Sequence, residues 1–295
     1  METTRCGYVA LVGRPNVGKS TLLNHVLGQK ISITSRKPQT TRRNLLGVDT
    51  AADCQAIYVD TPGIHQRIER RLNKYMVDHA TTALGGVDLV VCLLEGGKVR
   101  EEDEYVLKLI ERIDGPRFVV LSKIDLLADK ALLLPQMAQI NEKAAFDAIV
   151  PVSALKDDGV AEFREQVFKH LPFRKHIFSE DEITDQSERF LVAEIVREKV
   201  MRQLGDEIPH SATVVIESFQ DEVNITRIHA DIYVERDGQK RIVIGNAGSR
   251  LKSIGQDARQ DIERLLERQV MLHLWVRVRK GWTNHAGHMR RLGYD

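Results

Sequence analysis

Short apolar runs alternate with helical patterns through the first half of the chain. The runs are four to six residues long and have the length and composition of buried strands rather than of amphipathic helices. Buried strands that alternate with helices indicate a mostly parallel sheet covered by helices on both faces, which is the α/β class. The predicted strands span residues 8–12, 45–48, 56–59, 89–94, 118–121 and 149–152. The predicted helices span residues 20–27, 101–113, 131–146 and 160–170.

A different order of elements is predicted in the last third of the chain. Residues 173–188 are polar and charged without a clear period, which is typical of a linker. Beyond them, helices are predicted at 189–204 and 249–268, and strands at 213–218, 228–234 and 271–278. We therefore predict two domains, an α/β domain at 1–172 and an α+β domain at 189–295, joined by the linker 173–188.

The composition is that of a globular protein, with 42% hydrophobic and 29% charged residues. The longest apolar runs are too short to cross a bilayer, and no basic segment followed by an apolar stretch opens the chain, so we expect no signal peptide. Cys6, Cys54 and Cys92 lack metal-ligand spacing. Three such cysteines favour reduced thiols in a cytosolic protein.

The net charge of +1 hides an asymmetry along the chain. Residues 236–295 carry 13 Lys/Arg and 6 Asp/Glu, a net charge of +7, so the remainder carries −6. A basic C-terminal segment indicates a polyanionic partner. A solvated basic surface explains the charge alone equally well.

A glycine-rich loop joins the first predicted strand to the first predicted helix. Its sequence, GRPNVGKS, fits the phosphate-binding pattern GxxxxGK[ST]. The N–H groups of such a loop point at phosphates, and the helix N-terminus adds a favourable dipole. We expect Lys19 to reach the β- and γ-phosphates and the Ser20 hydroxyl to ligate Mg²⁺. The predicted phosphate-binding residues are Gly13, Arg14, Pro15, Asn16, Val17, Gly18, Lys19, Ser20 and Thr21.

Two further segments have the chemistry to sense the γ-phosphate. Asp60 follows a predicted strand and can hold the Mg²⁺ shell, while the N–H of Gly63 can contact the γ-phosphate. A Thr in the polar stretch before the second strand can ligate Mg²⁺ when GTP is bound, and Thr40 and Thr41 are both candidates. Switch I is predicted at Gln39, Thr40, Thr41 and Arg42, and switch II at Asp60, Thr61, Pro62, Gly63 and Ile64.

Two motifs at later strand ends indicate guanine as the base. Asp125, in the segment SKID, can accept two hydrogen bonds from guanine that adenine cannot donate. Lys123 belongs to the same motif, in which Ser122 replaces the usual Asn. Ser153 and Ala154 are small enough to let backbone N–H groups approach the guanine O6. Four motifs in this order, each at a strand end, favour a GTPase.

Ile64 stands where many small GTPases carry a Gln that orients the attacking water. An apolar side chain cannot orient water. We therefore expect slow intrinsic GTP hydrolysis, or hydrolysis that depends on another group, a partner or a cation.

The basic C-terminal segment contains a motif similar to the K-homology (KH) signature. Residues 241–254 include the turn Gly245–Gly248, and GxxG turns of this kind let an RNA backbone approach closely. We expect this turn between a strand and an amphipathic helix. For Trp282, contact with RNA and packing inside the domain are equally open. The predicted RNA-binding residues are Gly245, Asn246, Ala247, Gly248, Arg250, Lys252, Lys280 and Trp282.

The combination of these two halves resembles the Era family of bacterial ribosome-assembly GTPases over essentially the whole chain. The resemblance is carried by GRPNVGKST at 13–21, QTTR at 39–42 and DTPG at 60–63. It continues with ITD at 183–185, IGNAG at 244–248, GW at 281–282 and LGY at 292–294.

The resemblance implies a Ras-like GTPase domain followed by a type II KH domain. It also implies contact with 16S rRNA near its 3′ end during assembly of the 30S subunit, in addition to the Mg²⁺-dependent binding and slow hydrolysis of GTP expected from the motifs. It also implies a monomer in the cytoplasm with some peripheral membrane association. Asn16 matches a loop Asn that helps to bind an activating K⁺ in related GTPases, so K⁺ is a further hypothesis.

A nucleotide-gated module that docks a protein or a membrane is the alternative function. In that case the C-terminal domain would be a docking surface rather than an RNA-binding domain. Strong salt dependence of RNA binding would favour the RNA hypothesis, because phosphate contacts release counterions.

The Ser122 substitution generates a prediction about nucleotide affinity. A Ser hydroxyl is shorter than the Asn amide and cannot reproduce all of its hydrogen bonds. We expect Ser122→Asn to bind GDP more tightly than the natural chain, as measured by equilibrium titration. Equal or weaker GDP affinity in this variant would contradict the prediction.

Overall fold

The chain was analysed as a computed structural model that describes residues 3–35, 37, 40–64, 71–143, 145–204 and 211–294. It divides into two compact units. The first comprises residues 1–32, 41–68 and 75–185, and the second comprises residues 33–40, 69–74 and 186–295. No helix among the described residues is long and apolar enough to span a membrane.

The first unit is built on a six-stranded sheet in the order β2-β3-β1-β4-β5-β6. Only β2 runs antiparallel to its neighbour, so the predicted mostly parallel sheet is confirmed. The central strands are buried along nearly their whole length because helices cover both faces. The strands are β1 Arg5–Val12, β2 Leu45–Ala51, β3 Cys54–Asp60, β4 Leu89–Glu95, β5 Arg117–Ser122 and β6 Ala148–Val152.

Among the described residues, five α-helices accompany this sheet along the chain, and four of them coincide with the predicted ones. The unpredicted helix, α2, has three buried apolar side chains, Leu72, Met76 and Ala80, beside the buried Asn73. One apolar position per turn is a weak periodic signal, so the sequence pattern did not reveal it. The helices are α1 Lys19–Val26, α2 Arg71–Ala83, α3 Glu101–Ile110, α4 Leu133–Lys143 and α5 Val160–His170.

Most of the predicted linker is hydrogen-bonded to the first unit. The Oε1 atom of Gln55 accepts hydrogen bonds from the backbone N–H groups of Ile177 at 2.8 Å and Phe178 at 3.0 Å. The N–H of Val48 donates to the carbonyl of Ile183 at 2.9 Å. These bonds attach the segment to β2 and β3. They also satisfy backbone and side-chain groups that would otherwise need other hydrogen-bond partners.

The described elements of the second unit have the order helix, two strands, two helices, strand, helix. Its sheet has the order β7-β8-β9, with β7 antiparallel and β9 parallel to β8. Helices α6 and α8 pack on one face, where Ile195, Ile232 and Ile262 belong to the core. The elements are α6 Glu188–Gln203, β7 Thr213–Asp221, β8 Thr226–Val234, α7 Asp237–Ile244, α8 Ser249–Leu266, β9 Val270–Val278 and α9 Ala286–Arg291.

The predicted strand before the GxxG turn is wrong, because the turn joins two helices. Helix α7 ends at Ile244 and α8 begins at Ser249. Helix α7 has only eight residues, and Val243 is its one buried side chain. So short a helix shows too few turns for its period to be recognised.

Candidate functional site

Parallel pairing brings the predicted motifs to one edge of the first sheet. Strands β1, β3, β5 and β6 run in the same direction, so their carboxyl ends lie together. The glycine-rich loop follows β1, Asp60 ends β3, Ser122 ends β5, and Ser153 follows β6. Ligands of open α/β sheets bind at this edge.

The carbonyl groups of the glycine-rich loop contact the buried ammonium group of Lys19. The Nζ atom donates to the carbonyl oxygens of Gly13 at 3.1 Å and Arg14 at 3.2 Å. Burial lowers the pKa of Lys19 to about 8, and the nearby charge of Asp60 opposes this shift. An anion in the loop would stabilise the charged ammonium, so the site favours a phosphate there.

The side chain of Arg14 is directed to carboxylates, although the residue was predicted to bind phosphate. Its guanidinium contacts Glu95 at the end of β4, and its Nε lies 3.1 Å from the Oδ1 of Asp103 in α3. Asp103 is fully buried, and its other oxygen accepts the N–H of Arg100 at 3.0 Å. In this arrangement only the backbone of Arg14 is left to contribute to phosphate binding.

The carboxylate of Glu95 lies near cations of both the glycine-rich loop and the guanine motif. Its Oε2 atom lies 3.4 Å from the guanidinium of Arg100 and 3.9 Å from the ammonium of Lys123. Partial burial opposes ionisation, but Lys123, Arg14 and Arg100 together hold the pKa of Glu95 below its ordinary value. The loop after β1 and the loop after β5 therefore share one carboxylate.

Oxygen atoms of Ser20, Ser32, Thr41 and Asp60 converge next to Lys19. The Oδ2 of Asp60 accepts hydrogen bonds from Ser20 Oγ at 2.7 Å, Ser32 Oγ at 2.8 Å and Thr41 Oγ1 at 3.3 Å. Burial raises the pKa of Asp60, while Lys19 and these hydroxyls oppose that shift.

This cluster fits a hard cation such as Mg²⁺, which prefers oxygen ligands. The Oδ1 of Asp60 is buried and has no hydrogen-bond partner among the described residues. A buried carboxylate oxygen without a partner is costly unless a cation or ordered water satisfies it.

The two switch I candidates occupy different positions. Thr41 Oγ1 lies 2.9 Å from Ser20 Oγ, within the cluster that includes Asp60. Thr40 Oγ1 instead donates to the carbonyl of Lys37 at 2.8 Å. Thr41 is therefore the better candidate for a metal ligand. Arg42 is buried, and Gln39 lies outside the described residues.

The first residues of switch II are held tightly against the loop. Thr61 Oγ1 donates to the carbonyl of Leu11 at 2.7 Å, and the N–H of Ile64 donates to the carbonyl of Gly13 at 3.1 Å. A Cβ at position 63 would lie 2.7 Å from the backbone of Pro15, which explains the glycine there. The side chain of Ile64 is buried in the core, so it does not face a nucleotide.

The guanine motif presents an available carboxylate. Asp125 is exposed, and its Oδ1 accepts a hydrogen bond from Ser153 Oγ at 2.6 Å. Ser153 is buried and orients this carboxylate, while Ala154 beside it is half-buried. A fixed carboxylate with free lone pairs can accept the paired donors of guanine.

Ser122 is bonded to the protein rather than directed to a base. Its Oγ lies 2.6 Å from the carbonyl of Val17 and 3.0 Å from that of Leu94, and its single proton can satisfy one of them at a time. The side chain therefore ties the glycine-rich loop to β4 and β5. Its effect on nucleotide affinity therefore acts through the position of the loop.

The GxxG turn of the second unit has the open geometry that a nucleic-acid backbone needs. Gly245, Ala247 and Gly248 all have positive φ, at 74°, 47° and 77°. A Cβ at Gly248 would meet nothing within 4 Å, so the space beside this residue is open. Asn246, Ala247, Arg250 and Lys252 are exposed around the turn.

Trp282 is not available for RNA contact in this structure. Its side chain is fully buried, and the indole N–H donates to the carbonyl of Ser211 at 2.8 Å. The ring also stacks on Tyr294, with centroids 5.6 Å apart. Packing inside the domain is therefore the alternative that the structure favours, and the predicted RNA contact is corrected. Lys280 nearby is exposed.

Sequence motifs did not identify Glu95, Asp103 and Ser32 as residues of the site. Glu95 ends β4 at the same edge as the recognised motifs, so the strand-end rule could have identified it. Asp103 and Ser32 gave no such signal, because an Asp in the first turn of a helix and a Ser in a polar loop are common.

The contacts of Arg14 generate a prediction about GDP affinity. We expect Asp103→Asn to weaken GDP binding about tenfold, which is about 1.4 kcal/mol, because it removes the negative charge that pairs with the Arg14 guanidinium at 3.1 Å. Stopped-flow release of a fluorescent GDP analogue would measure the change. Glu104→Gln is the matched control, since Glu104 lies in the same helix, is exposed and pairs with Lys143 at 2.7 Å. Equal release rates in the two variants would show that Asp103 does not position the loop.

Comparison with known families agrees with a nucleotide site in the first domain and a GxxG turn in the second. Residues 8–123 match the family model described as 50S ribosome-binding GTPase. Residues 207–283 match the model described as the KH domain. The predicted combination of a GTPase domain with a KH domain is therefore confirmed.

Relatives match over nearly the full chain. GTPase Era of Pseudomonas putida is 51% identical over 291 residues, covering 99% of this chain and 97% of that protein. GTPase Era of Pseudomonas fluorescens is 52% identical over 293 residues, covering 99% and 98%.

Two solved structures have the same fold. One is the crystal structure of Era in complex with MgGDPNP and nucleotides 1506–1542 of 16S ribosomal RNA, with a TM-score of 0.95, 40% identity and 99% coverage of both chains. The other is an Aquifex aeolicus Era variant bound to GDP·AlF4−, with a TM-score of 0.95, 39% identity and 99% coverage of both chains. The chain belongs to the Era family of GTPases.

Proposed function

We propose that this protein is a GTP hydrolase that binds 16S rRNA near its 3′ end and couples its nucleotide cycle to assembly of the 30S subunit. The observation that carries the proposal is the full-length likeness to an Era structure that holds both MgGDPNP and a 16S segment. The guanine-reading carboxylate of Asp125 and the open turn at Gly248 supply the matching chemistry in this chain.

The proposed nucleotide site assigns a role to each part of the loop edge. Backbone N–H groups of residues 13–20 bind the phosphates, Lys19 neutralises their charge, and Asp125 with Ser153 selects guanine. Ser20, Thr41 and Asp60 would hold Mg²⁺, which supplies charge neutralisation between the β- and γ-phosphates when it is bound. Gly63 can contact the γ-phosphate through its N–H.

Slow intrinsic hydrolysis is part of the proposal. Ile64 is buried, so its side chain cannot orient an attacking water. Turnover then depends on a group other than the Ile64 side chain. This dependence suits a switch whose hydrolysis waits for assembly to advance.

The small subunit is favoured over the large one as the target. The family model for the first domain carries the description of a 50S ribosome-binding GTPase, but it covers only residues 8–123. The Era structure solved with 16S ribosomal RNA is similar over 99% of this chain, including the KH domain. The proposed RNA contacts are Gly245, Asn246, Ala247, Gly248, Arg250, Lys252 and Lys280.

The proposed oligomeric state is a monomer. The proposed location is the cytoplasm, because ribosomal subunits assemble in that compartment. Peripheral contact with the cell membrane, which the family resemblance implies, is a finer part of the proposal. The alternative function, a nucleotide-gated module that docks a protein or a membrane, predicts binding without RNA. Sedimentation with anionic vesicles in the presence and absence of RNA would separate the two.

Crosslinking to RNA tests the main proposal. We expect a footprint near the 3′ end of 16S rRNA when a GTP analogue is bound, and a weaker one with GDP. Sequencing of the crosslinked RNA would locate it. Gly248→Asp should remove the footprint, because a carboxylate there repels the backbone that must approach this turn. A footprint scattered over all cellular RNA would contradict the specific rRNA target.

The identity of the monovalent cation tests the hypothesis drawn from Asn16. This residue lies in the loop with a left-handed backbone (φ 62°). If it helps to bind an activating K⁺, we expect several-fold faster GTP turnover in KCl than in NaCl, and Asn16→Ala should abolish the difference. Equal turnover in the two salts would reject the K⁺ site while leaving the GTPase proposal intact.

A further inference from the structure

Three hydroxyl groups donate to one oxygen of Asp60, and two of them belong to residues that would hold Mg²⁺. These two are Ser20 and Thr41. The third hydroxyl belongs to Ser32, whose side chain is buried and whose Oγ lies 2.8 Å from the Oδ2 of Asp60. Ser32 has no role in the proposed nucleotide site, although it is as close to the carboxylate as Ser20 is.

A single side chain of helix α1 holds the backbone at Ser32. The Oδ1 of Asn24 accepts the N–H groups of Ile31 at 3.0 Å and Ser32 at 2.9 Å. The Nδ2 of the same amide donates to the carbonyl of Ser32 at 2.6 Å. One amide therefore satisfies three backbone groups, which fixes both the position and the direction of this part of the chain.

The residue before Ser32 anchors the same segment in the core. Ile31 is buried, and a Cβ at Gly47 in β2 would lie only 3.1 Å from the Cδ1 of Ile31. The glycine therefore leaves room for the isoleucine side chain in a closely packed interior. Packing and the Asn24 amide together keep the Ser32 hydroxyl in one place.

Helix α1 connects this anchor to the glycine-rich loop. It begins at Lys19, directly after the loop, and contains both Ser20 and Asn24. Residues four apart in an α-helix lie on the same face, so Ser20 and Asn24 face the same side of α1. One helix thus places a proposed metal ligand and, through Asn24, the third donor to Asp60.

Thr41 is a different kind of donor from Ser32. It belongs to the predicted switch I, a segment whose position in GTPases depends on the bound nucleotide. Its Oγ1 lies 3.3 Å from the Oδ2 of Asp60, which is longer than the 2.8 Å of Ser32. If Thr41 moves away, Ser32 still donates to the carboxylate.

The donors on one oxygen of Asp60 leave its other oxygen available. The Oδ1 atom is buried and has no hydrogen-bond partner among the described residues. Because the donors occupy Oδ2, the carboxylate cannot rotate without breaking their hydrogen bonds. Hydrogen-bond partners of metal-binding side chains commonly change metal affinity about ten- to hundredfold, so a fixed donor at this position has a measurable effect.

We propose that Ser32, placed by Asn24, is a positioning residue of the Mg²⁺ site. Its hydroxyl holds the Oδ2 of Asp60 whether or not Thr41 is in place, and it keeps Oδ1 available to the metal or to water bound to it. The inference rests on the proposed GTPase function and adds two residues to the metal site of that function. Both residues act through Asp60.

The test measures metal binding and nucleotide release in variants of the full chain. These are Ser32→Ala, Asn24→Ala and the double variant. Ser35→Ala is the matched control, because Ser35 lies three residues further on and its Oγ accepts the N–H of Lys37 at 3.1 Å. Electron paramagnetic resonance would give the Mn²⁺ affinity of each GDP complex, since carboxylate and hydroxyl oxygens also suit Mn²⁺.

Release of a fluorescent GDP analogue would be followed in excess Mg²⁺ and in EDTA. This comparison separates an effect on the metal site from a general loss of structure. Thermal melting followed by circular dichroism would confirm that the variants fold. Should one single variant fail to fold, the other still tests the inference.

We expect Ser32→Ala to bind Mn²⁺ about tenfold more weakly and to release GDP several-fold faster in Mg²⁺, because Asp60 loses a fixed donor. In EDTA its release rate should equal that of the natural chain. Asn24→Ala should behave in the same way. The double variant should lose no more Mn²⁺ affinity than Asn24→Ala alone, because the two residues act as one unit. The control should match the natural chain.

Three results would overturn the inference while leaving the function in place. These are unchanged Mn²⁺ affinity in Ser32→Ala, equally accelerated release in EDTA, and the same loss of Mn²⁺ affinity in the control. Additive losses in the double variant would reject the role of Asn24. If the natural chain bound no Mn²⁺ and released GDP equally fast in Mg²⁺ and EDTA, the proposed metal site itself would fail, and this inference with it.

Discussion

Two opposite charges buried at the edge of the first sheet set the chemistry of the nucleotide site. Lys19 and Asp60 are both inaccessible to solvent, and burial shifts the pKa of each toward its neutral form. Burying a charge is costly unless it is paired and hydrogen-bonded. The loop carbonyls and the hydroxyls of Ser20 and Thr41 supply part of that compensation. A phosphate beside Lys19 and a divalent cation beside Asp60 would complete the compensation of the two charges.

The loop that carries Lys19 is held in place from its outer side. Arg14 reaches Glu95 and the buried Asp103, while Ser122 is bonded to the loop carbonyl of Val17. Glu95 also faces Lys123 of the guanine motif. Phosphate binding and base recognition therefore share supporting residues. Positioning of this kind keeps the donors in place before the ligand arrives, which lowers the cost of binding.

In the second unit the charges that matter for binding are exposed rather than buried. Among its described residues, Glu222, Asp231 and Asp261 form ion pairs, whereas Arg250 and Lys252 around the GxxG turn have no ion pair with a carboxylate. Lys252, for example, is exposed beside the turn. Exposed cations beside this turn suit a polyanion, because it contacts the protein through its phosphates.

Local patterns in the sequence determined most of the architecture and much of the chemistry. Apolar runs predicted all six strands of the first sheet, and motifs at strand ends predicted Lys19, Asp60 and Asp125, because backbone direction places such residues at one edge. The pattern did not reveal α2 or α7, whose buried faces are narrow or short.

Only the tertiary structure decided which side chains are available at the sites. It directs Arg14 to carboxylates, selects Thr41 rather than Thr40 for the metal cluster, and buries Trp282 instead of presenting it to RNA. It also brings in Glu95, Asp103 and Ser32, which are distant in sequence from the groups that they contact. Burial and side-chain partners depend on residues far apart along the chain, so local sequence cannot specify them.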